Sequence, residues 1–220
     1  MMNRINVYAA LLLLAGFCAD NSSALTVPYF DDFNSIVSTQ LNTAPAGWNS
    51  IAGTVDSIKS GDFGITCFGG SGGCVDLDGS TNQAGYLLTS GTFNLVGGQT
   101  YQLSAYISGN QRGAHANDVN FGFFNTSNLV LASTTVNAIS SSSPFTLYSV
   151  LFTPSTNVVA KLFFNDVLGN NSIGPILDDV SVTAVPLPAA AWLLLSGLVG
   201  IGALARRRRS ERPVERLQYM

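Results

Sequence analysis

"FTLYSVLFTPSTNVVAKLFFND", Phe145 to Asp166, is the stretch that decides the fold class. Two runs rich in Val, Leu, Tyr and Phe stand on either side of a Pro-Ser-Thr-Asn break, and within each run apolar and polar residues tend to alternate. Successive side chains of a strand point to opposite faces, so this pattern predicts two strands joined by a turn rather than a helix. The same signature recurs in "GYLLTSGTFNLV" (Gly85 to Val96), "TYQLSAYISG" (Thr100 to Gly109) and "VNFGFFN" (Val119 to Asn125). Gly, Asn, Ser or Pro separates one run from the next, and "AISSSSPF" (Ala138 to Phe145) reads as a polar loop leading into a strand. No comparable window before Pro186 has a helical period. Eight or so strands in roughly 160 residues, with turns about every ten residues, predict an antiparallel β-sandwich of jelly-roll type over residues 25–184.

Composition agrees. Of 220 residues, 46% are hydrophobic and only 10% charged, with 22 Gly, which suits turn-rich β-structure and argues against disorder. The net charge of −3 hides an asymmetry. Between Leu25 and Ala184 the cations are Lys59, Arg112 and Lys161, set against Asp31, Asp32, Asp56, Asp62, Asp76, Asp78, Asp118, Asp166, Asp178 and Asp179. An acidic domain of this kind is excluded as a nucleic-acid binder, because phosphate backbones are held by clustered Lys and Arg.

Both ends carry address labels. Arg4, the apolar run "VYAALLLLAGFCA" and the small residues "SSA" at Ser22 to Ala24 predict a secretory signal peptide over residues 1–24. After its removal Cys67 and Cys74 are the remaining cysteines, bracketing "FGGSGG". A short Gly-rich loop in an oxidising compartment is suited to a disulfide hairpin, and two cysteines without neighbouring ligands are too few for a metal site.

At the other end, residues 187–205 are apolar throughout, about 19 residues at 1.5 Å each, close to the thickness of a bilayer core. Pro186 and Pro188 stop the preceding strand, and Arg206, Arg207, Arg208 and Arg209 follow the apolar run at once. Positive charge stays cytoplasmic, so this transmembrane helix is expected to leave the β-domain on the periplasmic side and residues 210–220 as a cytoplasmic tail.

"VPLPAAAWLLLSGLVGIGALARRRR", residues 185–209, resembles the PEP-CTERM sorting signal of Gram-negative bacteria in its Val-Pro-Leu-Pro form, with Leu187 where the eponymous motif has Glu. The resemblance implies recognition by an exosortase, a membrane-embedded cysteine transpeptidase, at the motif Val185, Pro186, Leu187 and Pro188. It also implies delivery to the cell surface or to an exopolysaccharide or biofilm matrix. It says nothing about what the domain does there.

For the domain itself, "PYFDDFN" (Pro28 to Asn34), Gly47-Trp48 and "ILDDVSVTAVP" (Ile176 to Pro186) resemble carbohydrate-binding-module jelly rolls, in which the first and last strands lie together. That resemblance implies a structural calcium held by Asp178 and one of Asp31 or Asp32, since calcium takes six to eight oxygens from carboxylates and carbonyls. "DLDGS" (Asp76 to Ser80) has the look of a truncated calcium loop, though it also reads as a plain turn at Gly79. Sugar binding draws on aromatic rings that cover the apolar faces of pyranoses, and the candidate rings are Trp48, Tyr86 and Tyr106.

Catalysis has little to work with. His115 is the single histidine, no Glu precedes Glu211, and no nucleophile elbow, zinc-binding His pair or phosphate loop occurs. The expectation is a non-catalytic surface or matrix protein that binds an extracellular polysaccharide. The alternatives are a matrix protein without a specific ligand and, last, a glycoside hydrolase.

Overall fold

A computed structural model describes residues 24–81, 83–113, 115–169, 171–186 and 201. The expected signal peptide, apart from Ala24, lies outside these residues. So do Leu187 and Pro188 of the sorting motif, the expected helix apart from Ile201, the arginines at 206–209 and the tail. Among the described residues no helix is long and apolar enough to cross a membrane.

The described chain is all-β, with thirteen strands among these residues. In chain order they are β1 (Ala24–Leu25), β2 (Tyr29–Asp31), β3 (Trp48–Ser50), β4 (Asp56–Lys59), β5 (Gly73–Asp76), β6 (Tyr86–Thr89) and β7 (Thr92–Leu95). There follow β8 (Tyr101–Ser108), β9 (Asn117–Asn125), β10 (Val130–Ile139), β11 (Thr146–Phe152), β12 (Val158–Asp166) and β13 (Ile176–Ala184). They form two sheets, and every ladder is antiparallel except the short β1–β7 pair.

In the first sheet β12 is central. β9 runs along one side of it, with β10 outside, while β7 and β6 lie end to end along the other. The second sheet is built in the same way around β13, with β8 and then β11 on one side, and β2 and β5 end to end on the other, followed by β4.

Alternation sorts the side chains. Along β8, Tyr101, Leu103, Ala105 and Ile107 enter the core between the sheets, while Gln102, Ser104 and Tyr106 point outward. Along β12, Ala160, Leu162 and Phe164 do the same from the opposite side. Edge-to-face and stacked rings fill the centre: Tyr29 on Phe93 at 5.3 Å between centroids, Phe121 on Phe164 at 5.5 Å, and Trp48 between Phe33 (5.8 Å) and Phe164 (5.9 Å). Each such ring contributes roughly 1.5–3 kcal/mol by leaving water.

The sandwich has two further apolar clusters on its outer faces. Leu88, Phe124 and Phe163 pack on the first sheet, with Phe124 and Phe163 stacked at 4.0 Å. Ile58, Ile65, Cys67, Cys74 and Ile176 pack on the second sheet, where the segment following β4 folds back over the strands.

Candidate functional site

The outer face of the second sheet is half covered and half open, and its pairing register shows what lies on the open half. One cross-strand row reads Phe30, Ser181, Ser104, Ser149, from β2 through β13 and β8 to β11. The row on one side reads Thr183, Gln102, Leu151, and the row on the other Asp178, Tyr106, Leu147. With strands about 4.8 Å apart, the three serines span roughly 10 Å. Its three small side chains form a low floor between taller neighbours, with Ser149 exposed, Ser181 partly exposed and Ser104 buried at the centre. Phe30, Leu147 and Leu151 stand 61%, 52% and 60% exposed around it.

The covered half ends in an aromatic wall. Phe68 lies flat on Tyr106, with centroids 3.9 Å apart and planes 20° from parallel, and Phe145 meets Phe68 edge-on at 5.7 Å. Phe68 is 37% exposed, so part of the stack faces water. Behind it a cleft of about 330 Å³ is lined by Thr66, Phe68, Gln111, Ser142, Ser143 and Phe145.

Three links fix the loop that presents Phe68. Cys67 and Cys74 are joined in a disulfide with Cα atoms 5.5 Å apart, both buried against β4 and β13. The Gln111 side chain accepts from Thr66 N (2.9 Å) and donates to Thr66 O (3.0 Å). Phe68 N donates to Asp178 Oδ2 at 2.9 Å. The other oxygen of Asp178 accepts from Asp179 N at 2.8 Å, at a bulge where Asp179 takes φ 47°.

Asp178 is buried, and burial pushes its carboxyl up to about 7. The backbone bonds from Asp179 and Phe68 oppose that rise, while the charges of Asp179 and Asp32 add to it. Burial and Asp32 also raise Asp179.

The expected calcium set does not converge. Asp31 pairs with Val180 and turns to the core side of the sheet, where Oδ2 accepts from Trp48 Nε1 at 2.7 Å and Oδ1 from Phe33 N at 3.0 Å. Asp178 points to the outer side, so the two carboxylates cannot share an ion. Asp32 lies near enough to Asp178 for its charge to be felt, yet its oxygens accept from Asn34 N (3.1 Å) and Asn34 Nδ2 (2.8 Å). Two carboxylates with all four oxygens already accepting N–H bonds fall short of a calcium shell. Cys67, Cys74 and Asp178 also come together, with ligand atoms within 4.8 Å, but the disulfide consumes both sulfurs.

Of the candidate rings, Tyr106 alone stands on the open face. Trp48 is 4% exposed in the core and its N–H is spent on Asp31, which corrects its assignment as a surface ring. Tyr86 belongs to the first sheet, 5.5 Å from Phe124 and 5.7 Å from Phe163, and is half-buried there. Phe68 and the serine row escaped the sequence reading. The available signal for Phe68 was an aromatic residue at the head of a Gly-rich disulfide loop.

"DLDGS" is not a surface loop. Asp76 is fully buried, pairs with Arg112, and accepts from Asp78 N (3.0 Å) and Gly174 N (2.9 Å) at Oδ1. Asp78 Oδ2 accepts from Asn171 N and Ser172 N, both at 2.9 Å. Asn110 donates to Asn117 at 3.0 Å, and His115 Nε2 lies 3.2 Å from Ile173 O. Burial lifts Asp76 to about 7 against the opposing Arg112 charge, and lifts Asp166 to about 6. These bonds join β5 to the loops after β8 and β12.

No family model matches the sequence, and no curated protein is recognisably similar to it. Solved structures similar to it include the arabinose-bound MgGH51 α-L-arabinofuranosidase, at 13% identity and a TM-score of 0.49 over 67% of this chain. This chain covers 25% of that enzyme. The K1 cleaved adhesin domain of Lys-gingipain from Porphyromonas gingivalis W83 is 17% identical over 67% of this chain and 98% of its own, with a TM-score of 0.45. A CBM4 module is 15% identical over 69% of this chain and 97% of its own, with a TM-score of 0.44.

Proposed function

We propose that this is an exported, non-catalytic surface or matrix protein whose jelly-roll-like sandwich binds an extracellular polysaccharide on the outer face of the second sheet. The observation that carries the reading is the Phe68–Tyr106 stack standing beside the row Ser181, Ser104 and Ser149, whose two ends reach the surface. An aromatic plane suits the apolar face of a pyranose ring, and the serine hydroxyls with Gln102 both donate to and accept from sugar hydroxyls. Strands β8, β11 and β13 carry no Lys or Arg, while Asp178 and Asp179 stand on β13. The ligand is therefore a glycan without uronate or sulfate groups.

Export and sorting rest on the sequence. Residues 1–24 carry the chain out, and the segment 185–209 hands it to an exosortase-like transpeptidase of the inner membrane, which delivers the domain to the cell surface or matrix. Val185 is tied to the fold, donating to Thr100 O and accepting from Gln99 Nε2, both at 2.8 Å. Pro186 is exposed.

The test is depletion of the full chain from detergent solution by insoluble polysaccharides, neutral and acidic, including the matrix of the producing cells. Neutral glycan should retain the wild type and lose at least five-fold in retention with Tyr106→Ala. If no glycan retains the protein, it is a matrix protein without a specific ligand.

A further inference from the structure

We infer that Asp178 is the positioning residue of the aromatic wall: its buried carboxylate holds the Phe68 backbone so that the ring lies on Tyr106. This inference rests on the glycan-binding reading for its consequence, but not for its geometry.

Asp178 and Tyr106 are direct cross-strand partners on β13 and β8. The same rung thus offers the ring that is stacked upon and the acceptor that grips the ring above it. Asp178 reaches Phe68 across 110 residues of sequence, and it is the one side chain bonded to Phe68's own backbone among the described residues. The other ties, between Gln111 and Thr66 and from Cys67 N, which donates to Ser60 Oγ at 3.1 Å, stop short of it.

The disulfide fixes where the loop leaves the sheet, but Phe68 follows Cys67 in a run of glycines, and Gly69 and Gly70 take φ of 75° and 81°. Glycine spans both signs of φ freely, so this run alone cannot orient the ring. A hydrogen bond from the Phe68 N–H to a carboxyl oxygen fixed on the sheet can, and it is strongest above about pH 7, where Asp178 is ionised.

Carboxylate is also the group that the site requires. Asp178 accepts from two N–H groups, Phe68 on one oxygen and Asp179 on the other. Asparagine has one acceptor oxygen, so Asp178→Asn must turn its NH2 toward one of the two donors.

The experiment is residue-resolved amide hydrogen exchange by NMR on the full chain in detergent at pH 8, wild type against Asp178→Asn, with glycan retention measured in parallel. The wild-type Phe68 amide should be protected although its loop is at the surface. In Asp178→Asn its exchange should speed up at least ten-fold, while Leu103 and Val182 in the adjoining ladder keep their rates. Retention should fall about as far as in Phe68→Ala.

An unprotected Phe68 amide in the wild type would overturn the inference without any variant, which matters if Asp178→Asn fails to fold. Protection unchanged in a folded Asp178→Asn would overturn it equally. If the wild type retains no glycan but Phe68 protection depends on Asp178 as described, the positioning stands and the glycan reading falls.

Discussion

Replacing Arg112 by Met removes the cation that faces Asp76 and keeps most of its apolar stem. Asp76 is fully buried, and of its contacts only the two backbone bonds to Oδ1 survive the change. Removing one partner of a buried pair costs about 3–5 kcal/mol, and the surviving N–H donors place this case near 3 kcal/mol. That figure holds while the carboxyl is ionised. Burial already lifts Asp76 to about 7 with Arg112 in place, and without Arg112 the value moves higher.

A raised acid binds a proton in the folded state that the unfolded chain lacks between about pH 3.9 and the folded value. Stability from this group is therefore present at low pH and is lost as pH rises through that window. At pH 5 the residue is neutral in both proteins, and the variant should lie within about 1 kcal/mol of the wild type. At pH 8, one unit above the wild-type value of about 7, the gap should be wider than at pH 5 by about 1.4 kcal/mol, because the variant's carboxyl keeps its proton and so escapes the full cost of an unpaired charge. Guanidinium denaturation of the full chain in detergent, followed by Trp48 emission with Trp192 replaced by Phe, measures both. Equal losses at the two pH values, or a loss below about 1 kcal/mol at pH 8, would refute the reasoning.

Three further outcomes are expected. Wild-type melting temperature should fall as pH is raised from 5 to 8, because Asp76 at about 7 and Asp166 at about 6 are both raised acids, and a scanning-calorimetry series checks the sign. Replacing Cys67 and Cys74 together by Ser opens a loop of sequence separation 7, which on loop entropy costs roughly 2.5 kcal/mol, read as a lowered denaturation midpoint. Calcium and EDTA should give the same melting temperature within about 1 °C; a calcium-dependent rise would place an ion between Asp32 and Asp178.

The strands were legible because alternation is a local signal. β8, β11 and β12 each lie within a run whose period of two is visible in the sequence, and β9 extends such a run by two residues. "GYLLTSGTFNLV" is two strands end to end, β6 and β7, and the break at Ser90–Gly91 is set by β12, which both of them flank. Trp48 sits in a three-residue strand too short to show a period, so its burial depends on Phe33 and Phe164, far away in sequence.

Neighbouring residues of an extended chain face opposite ways, so of Asp31 and Asp32 only one could stand on the side of Asp178, and which one depends on the pairing of β2 with β13. Phe68 and Asp178 are brought together only by the disulfide loop folding back across the sheet, and Asp76 and Arg112 by strand pairing over 36 residues. No local pattern records either meeting.

The central claim is which face of the sandwich meets the glycan. The direct measurement is an amide-exchange footprint of the full chain with and without a neutral polysaccharide that retains it. The account predicts slowed exchange at Phe68, Tyr106, Ser104, Ser149 and Ser181, with the strands β9 and β10 unaffected. Protection confined to the first sheet, around Tyr86 and Phe124, would contradict it.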